Sequence, residues 1–97
     1  MHEVIESRNP ARPDEIVWRG EATIEVLDAA VRRARKAAPA WARRPESERV
    51  ALLECWREVT ASRAEELAQL ITREMGKTLD ESRAEARLLG EKVAVTL

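Results

Sequence analysis

The tripeptide Gly76-Lys77-Thr78 carries the residue types that close a phosphate-binding loop, in which backbone N–H groups of a glycine-rich turn cradle phosphate and the lysine reaches it. That loop needs a further glycine five residues before Gly76, where Ile71 stands, and it follows a strand rather than a helical pattern. The tripeptide therefore reads as a helix junction, with Gly76 as a left-handed C-cap and Thr78 as the next N-cap. Cys55 is the single thiol, and a nucleophilic thiol needs a helix N-terminus, a cation or a histidine beside it. Cys55 instead falls on the apolar stripe of a helical pattern, so it is expected in the core. The single histidine, His2, has no companion at metal-ligand spacing. Paired carboxylates occur at Asp14/Glu15, Glu65/Glu66 and Asp80/Glu81, but adjacent helix residues point about 100° apart and cannot converge on one substrate. Arg32, Arg33, Arg35, Lys36, Arg43 and Arg44 form a basic cluster without an interleaved acid, which could meet phosphate, but a complete nucleic-acid reader adds a set of aromatic stacking residues or a recognised groove-entering motif. The expectation is that the chain holds no catalytic, cofactor-binding or metal-binding residue of its own.

Composition agrees with that reading. Seventeen basic and eighteen acidic residues leave a formal charge of -1, so no global field recruits nucleic acid or an anionic membrane. One cysteine excludes an internal disulfide framework and fits a reducing, cytoplasmic setting. The start, MHEVIESRNP, is charged where a signal peptide needs an apolar run, and no stretch approaches the roughly 18 apolar residues of a spanning helix. Phe and Tyr are absent and much of the apolar content is alanine, so any core is thin.

Elements can be read from period and punctuation. EVIES and EIVWR are β-branched stretches on either side of RNPARPD, predicting a hairpin or two short strands with Trp18 free to pack on the next element. From Thr23, an N-cap, the spacing of Leu27, Ala30, Val31, Ala34 and Ala38 predicts a helix that Pro39 should end. A second helix begins between 46 and 48 with the stripe Leu52, Cys55, Trp56 and Val59. A capping box at 62–65, SRAE, opens a third bearing Leu67, Leu70 and Ile71, and Gly76 closes it. A second box at 78–81, TLDE, opens the last, whose Leu79, Ala86, Leu89, Val93 and Leu97 keep helical spacing with no stop signal. The division is thus 1–22 for the strands and 23–97 for a helical segment, and the missing stop signal asks whether the chain is complete or the front piece of something larger.

In order, Asn9-Pro10, Pro39-Ala40-Trp41, Pro45 with Glu48-Arg49, and Glu74-Met75-Gly76-Lys77 resemble the N-terminal segment of the aldehyde dehydrogenase superfamily, over nearly the whole chain. Met75 replaces a frequent Thr of that pattern, and Thr78 stands where Pro is common. NPARPDE is similar to semialdehyde dehydrogenases of amino-acid catabolism, such as those acting on glutamate or succinylglutamate semialdehyde.

The resemblance implies a mostly α chain, a short hairpin followed by about four helices, forming the first part of an α/β fold, with 23–97 the helical segment of an incomplete cofactor-binding domain truncated in the last helix. It implies that the full-length relatives use NAD or NADP, a Cys nucleophile, a Glu that activates water, and an Asn in an oxyanion hole. All of these are expected beyond the position matching Leu97, and Cys55 does not match the nucleophile. It also implies a homo-oligomer at full length, with neither nucleic acid nor membrane as partner. The alternative is a self-sufficient helical module, or truncated paralogue, that binds a full-length enzyme or an anionic partner.

Overall fold

The computed structural model describes residues 2–97. Strand β1 (His2–Asn9) pairs antiparallel with β2 (Arg12–Thr23), and four helices come after them: α1 (Ile24–Arg43), α2 (Glu46–Ser62), α3 (Ala64–Met75) and α4 (Leu79–Thr96). The mostly α chain with an N-terminal hairpin is therefore as the sequence implies.

The turn is set by Asn9 and Pro10. The Asn9 Oδ1 accepts from the Ala11 N–H at 3.0 Å, the side-chain-to-backbone bond that makes Asn a turn former. Both strands run longer than the β-branched stretches alone suggest, and the register slips where Ser7 faces Trp18 but Arg8 faces Ile16. The Trp18 indole folds along the strand over Gly20, where a Cβ would meet its ring at 2.4 Å. Only glycine fits beneath it.

Thr23 caps α1 as expected, its Oγ1 accepting from the Val26 N–H at 3.1 Å. Pro39 does not end this helix; α1 continues to Arg43 with the proline inside. The carbonyl that Pro39 leaves without a donor lies on a helix whose residues here are exposed, so it is open to solvent. The stop comes from Pro45, which holds Arg44 at φ −63°, ψ 142°, the extended conformation imposed on a residue preceding proline.

A second correction concerns 62–65. Ser62 is the last residue of α2, its Oγ–H donating to the Val59 carbonyl at 2.7 Å, and α3 starts at Ala64 with no side-chain cap. A hydroxyl that bonds backward to its own turn cannot cap forward. Arg63 alone breaks the run, at φ −109°, ψ 16°, and its guanidinium holds Glu66 at 2.7 Å. The box at 78–81 forms in full: the Glu81 N–H donates to Thr78 Oγ1, and the Thr78 N–H donates back to Glu81.

The centre lies where α3 and α2 meet α4. Ala68, Ala86 and Val93 are its buried apolar residues, joined by Ser82, whose Oγ accepts from Thr72 Oγ1 at 2.8 Å. Gly90 lets α4 approach Thr60 of α2. Around this small centre Leu27, Val31, Trp41, Leu52, Trp56, Val59 and Leu89 stay exposed. Accessible surface is 7743 Å², against about 5,600 Å² for a compact folded protein of this mass. The body is a slab of 48 × 39 × 17 Å.

Candidate functional site

The polar groups that the structure gathers lie where the hairpin turn meets the α3–α4 junction. Gly76 ends α3 at φ 70°, the left-handed conformation, and its N–H bonds the Thr72 carbonyl at 2.9 Å. Pro10 and Ala11 cover it so closely that a Cβ would sit 3.0 Å from the proline ring. The Arg73 Nε donates to Glu15 at 2.7 Å, the Asn9 amide donates to the other Glu15 oxygen at 2.9 Å, and the Ser7 hydroxyl donates to Glu74 at 3.0 Å. Lys77 pairs with Glu85 of α4. The Arg73 guanidinium, and then the Asn9 amide, hold the Glu15 carboxyl below its ordinary value.

These contacts make a clamp rather than a catalytic set. A general acid needs a carboxyl raised toward neutrality, whereas each perturbed carboxyl here is lowered. Arg19 and then Arg8 lower Glu6; Arg83 and then Gln69 lower Glu65; Arg63 lowers Glu66. The two carboxylate pairs that lie on helices diverge as helical geometry requires. Glu65 turns to Arg83 and Glu66 to Arg63, while Glu81 serves the cap and Asp80 lies 3.7 Å from Arg83.

The remaining candidates do not converge. Cys55 is exposed, contrary to its expected place in the core, and Leu52, Trp56 and Val59 of the same stripe are exposed with it. His2 belongs to β1, its Nε2 3.5 Å from Glu21. Arg44 pairs with Glu48 at 3.6 Å, whereas the other five cations of the basic cluster project from α1 into solvent. Among the described residues no group of three or more His, Cys, Asp or Glu side chains is placed to hold a metal. Among them, too, no helix is long and apolar enough to cross a membrane.

Sequence reasoning missed the Glu15–Arg73 and Ser7–Glu74 contacts. They join residues 58 and 67 positions apart, and nothing in a local pattern marks them. The only usable signal was the coincidence of a turn-forming Asn9-Pro10 with a bare Gly76.

Comparison with known proteins places this arrangement of contacts in a family. The family model described as "Aldehyde dehydrogenase family" matches residues 1–96. N-succinylglutamate 5-semialdehyde dehydrogenase 2 of Caulobacter vibrioides is 38% identical over 93 residues, covering 96% of this chain and 19% of that protein. N-succinylglutamate 5-semialdehyde dehydrogenases of Pseudomonas fluorescens and Vibrio cholerae are 36% and 38% identical over 96 residues, covering 98% of this chain and 20% of each protein. The chain therefore spans about a fifth of the length of the curated relatives it matches. With the profile matched almost end to end and the hairpin and four helices in place, the chain belongs to the aldehyde dehydrogenase family.

Proposed function

We propose that this chain is the N-terminal scaffold of a cytoplasmic, homo-oligomeric, NAD(P)-dependent dehydrogenase that oxidises a semialdehyde to a carboxylate. The observation that carries the proposal is uncovered surface. The chain exposes roughly 2,000 Å² more than a compact protein of its mass, an area large enough for a permanent interface. The Arg49 Nε, buried without an acceptor, points the same way, since such a group is costly until a partner supplies one. The four-fifths of the relatives' length outside this chain is the natural cover.

The residues present do not fit a dinucleotide. Close approach of a pyrophosphate needs bare glycine backbone at a helix N-terminus. Gly76 lies under Pro10, Gly20 under Trp18, and Gly90 against Thr60 and Arg57. No step of the oxidation is assigned to these 97 residues. Their work is positional: the clamp fixes the hairpin on α3 and α4, and the apolar faces await the fold that bears the cofactor and nucleophile.

The test supplies residues 1–97 to a relative's polypeptide made without its matching segment, and monitors NAD(P)H absorbance with N-succinylglutamate semialdehyde. The chain alone should be inactive, and the pair should form a stoichiometric complex with turnover. Activity of 1–97 alone that disappears on substituting one of its own residues overturns the proposal, as does failure of the pair to associate.

The five solvent-facing cations Arg32, Arg33, Arg35, Lys36 and Arg43 favour a second reading, a module that docks on an acidic partner by itself. A single defined assembly of 1–97 alone would support it.

A further inference from the structure

We infer that α1 is a conditional strap: it opens locally and independently of the clamp, and becomes fixed when the remaining enzyme fold is supplied. Local opening stands on the structure alone, whereas fixation rests on the scaffold reading. Of the residues in Ile24–Arg43, all but Ala29 are exposed. The side-chain bond that anchors α1 is its own cap, between Thr23 and Val26, and its C-cap Arg44 reaches only Glu48 at the start of α2, whereas ion pairs tie the hairpin, α3 and α4 to one another.

An undocked helix has only its intrinsic stability. Helices shorter than about 12–15 residues are marginal in water even when rich in alanine. Pro39 removes a hydrogen bond near the C-terminal end of α1, leaving about that length of uninterrupted helix before it. Leu27, Val31, Ala34, Ala38 and Trp41 recur on one face, with Arg32, Lys36 and Arg43 opposite, so the pattern suits a helix docked on one side. Here that apolar face meets solvent, with Leu27 63% and Trp41 42% exposed.

The ends of α1 permit the motion. Thr23 is extended at φ −132°, ψ 156°, and Arg44 is extended before Pro45, so neither neighbouring element continues the helix. By contrast the hairpin turn is held on α3 by Glu15–Arg73, Ser7–Glu74 and the Pro10–Gly76 fit, and α3 is held on α4 by Thr72–Ser82 and Glu65–Arg83. Local opening is easiest where such contacts are fewest, and α1 has the fewest.

Amide hydrogen exchange on chain 1–97, read by mass spectrometry, tests this directly. Amides of α1 should exchange at least tenfold faster than those of α3 and α4. Ala34→Pro should leave the exchange of α3 and α4 unchanged. Protection of α1 equal to that of α3 overturns the inference. So does acceleration of α3 and α4 by Ala34→Pro, or full exchange everywhere, which would deny the clamp. None of these outcomes depends on aldehyde chemistry. The scaffold reading is judged separately, by complementation, and there a strap should gain protection in the complex.

Discussion

Pro10 of the hairpin turn lies 3.0 Å from the point where a side chain on Gly76 would begin, so the turn and the helix junction are shaped to one another. Gly76 is constrained twice, by its left-handed φ of 70° and by this neighbour. Gly76→Ala should cost about 1–2 kcal/mol from the backbone alone, with displacement of Pro10 adding to it. Thermal unfolding by circular dichroism should fall accordingly. Gly90→Ala is the control: its Cβ would meet Thr60 at an ordinary 3.4 Å, and replacing a mid-helix glycine gains up to about 1 kcal/mol. Opposite signs are expected at the two sites.

The hairpin should leave the helices in acid. Glu15 is held below its ordinary value by Arg73 and then Asn9, so the folded state binds fewer protons there than the unfolded chain. Stability from this contact is present above the unfolded value, near about 4.3, and is lost as pH falls through the lower folded one. Glu15→Gln should weaken the acid limb in the tryptophan fluorescence profile, leaving the part due to Glu6, Glu65 and Glu66 and a nearly unchanged neutral signal. An acid limb identical in the variant would mean that Glu15–Arg73 does not contribute to it.

The two Ser/Thr-x-x-Glu boxes should separate under mutation. Thr78→Ala removes a cap that bonds in both directions, a loss of about 1 kcal/mol. Ser62→Ala removes only a backward bond at the end of α2 and should cost no more than a few tenths. Equal losses in urea melts would show that α3 depends on Ser62 after all.

Chain 1–97 by itself should bind a hydrophobic dye and associate heterogeneously. Val95, Leu27, Ile24 and Val26 are each more than half exposed, along with Trp18. Exposed apolar surface of this extent drives association or marks an interface. Light scattering over a concentration series measures it; a monomer that melts sharply and ignores the dye would count against the scaffold proposal.

What the sequence disclosed and what it withheld have physical causes. Thr23, Thr78 with Glu81, and Gly76 act on backbone groups within four residues, so their roles were legible from residue type and spacing. Pro39 misled because a proline removes one helical hydrogen bond without always ending the helix, and α1 runs on to Arg43, whereas the rule that the residue before a proline is extended held at Arg44 and Pro45. Cys55 misled differently. Its helical period is real, but period identifies a face suited to burial, and among the described residues Cys55 remains exposed. The Glu15–Arg73 contact was invisible because a charge pair 58 residues apart leaves no local trace. Adjacent carboxylates on a helix were expected to diverge, and Glu65 and Glu66 do so, each turning to a different arginine.

The slab geometry also sets how the chain answers to heat and chaotropes. A body 17 Å deep keeps about half of the surface its unfolded chain would expose, where a compact protein of this mass keeps about a third. Unfolding therefore hydrates about a fifth less new surface than it does in a compact protein. The heat-capacity increment and the steepness of guanidinium titrations scale with that surface and shrink together. Joined to its covering fold, the same segment would recover both, and a calorimeter would register assembly as a gain in curvature before any enzyme was assayed.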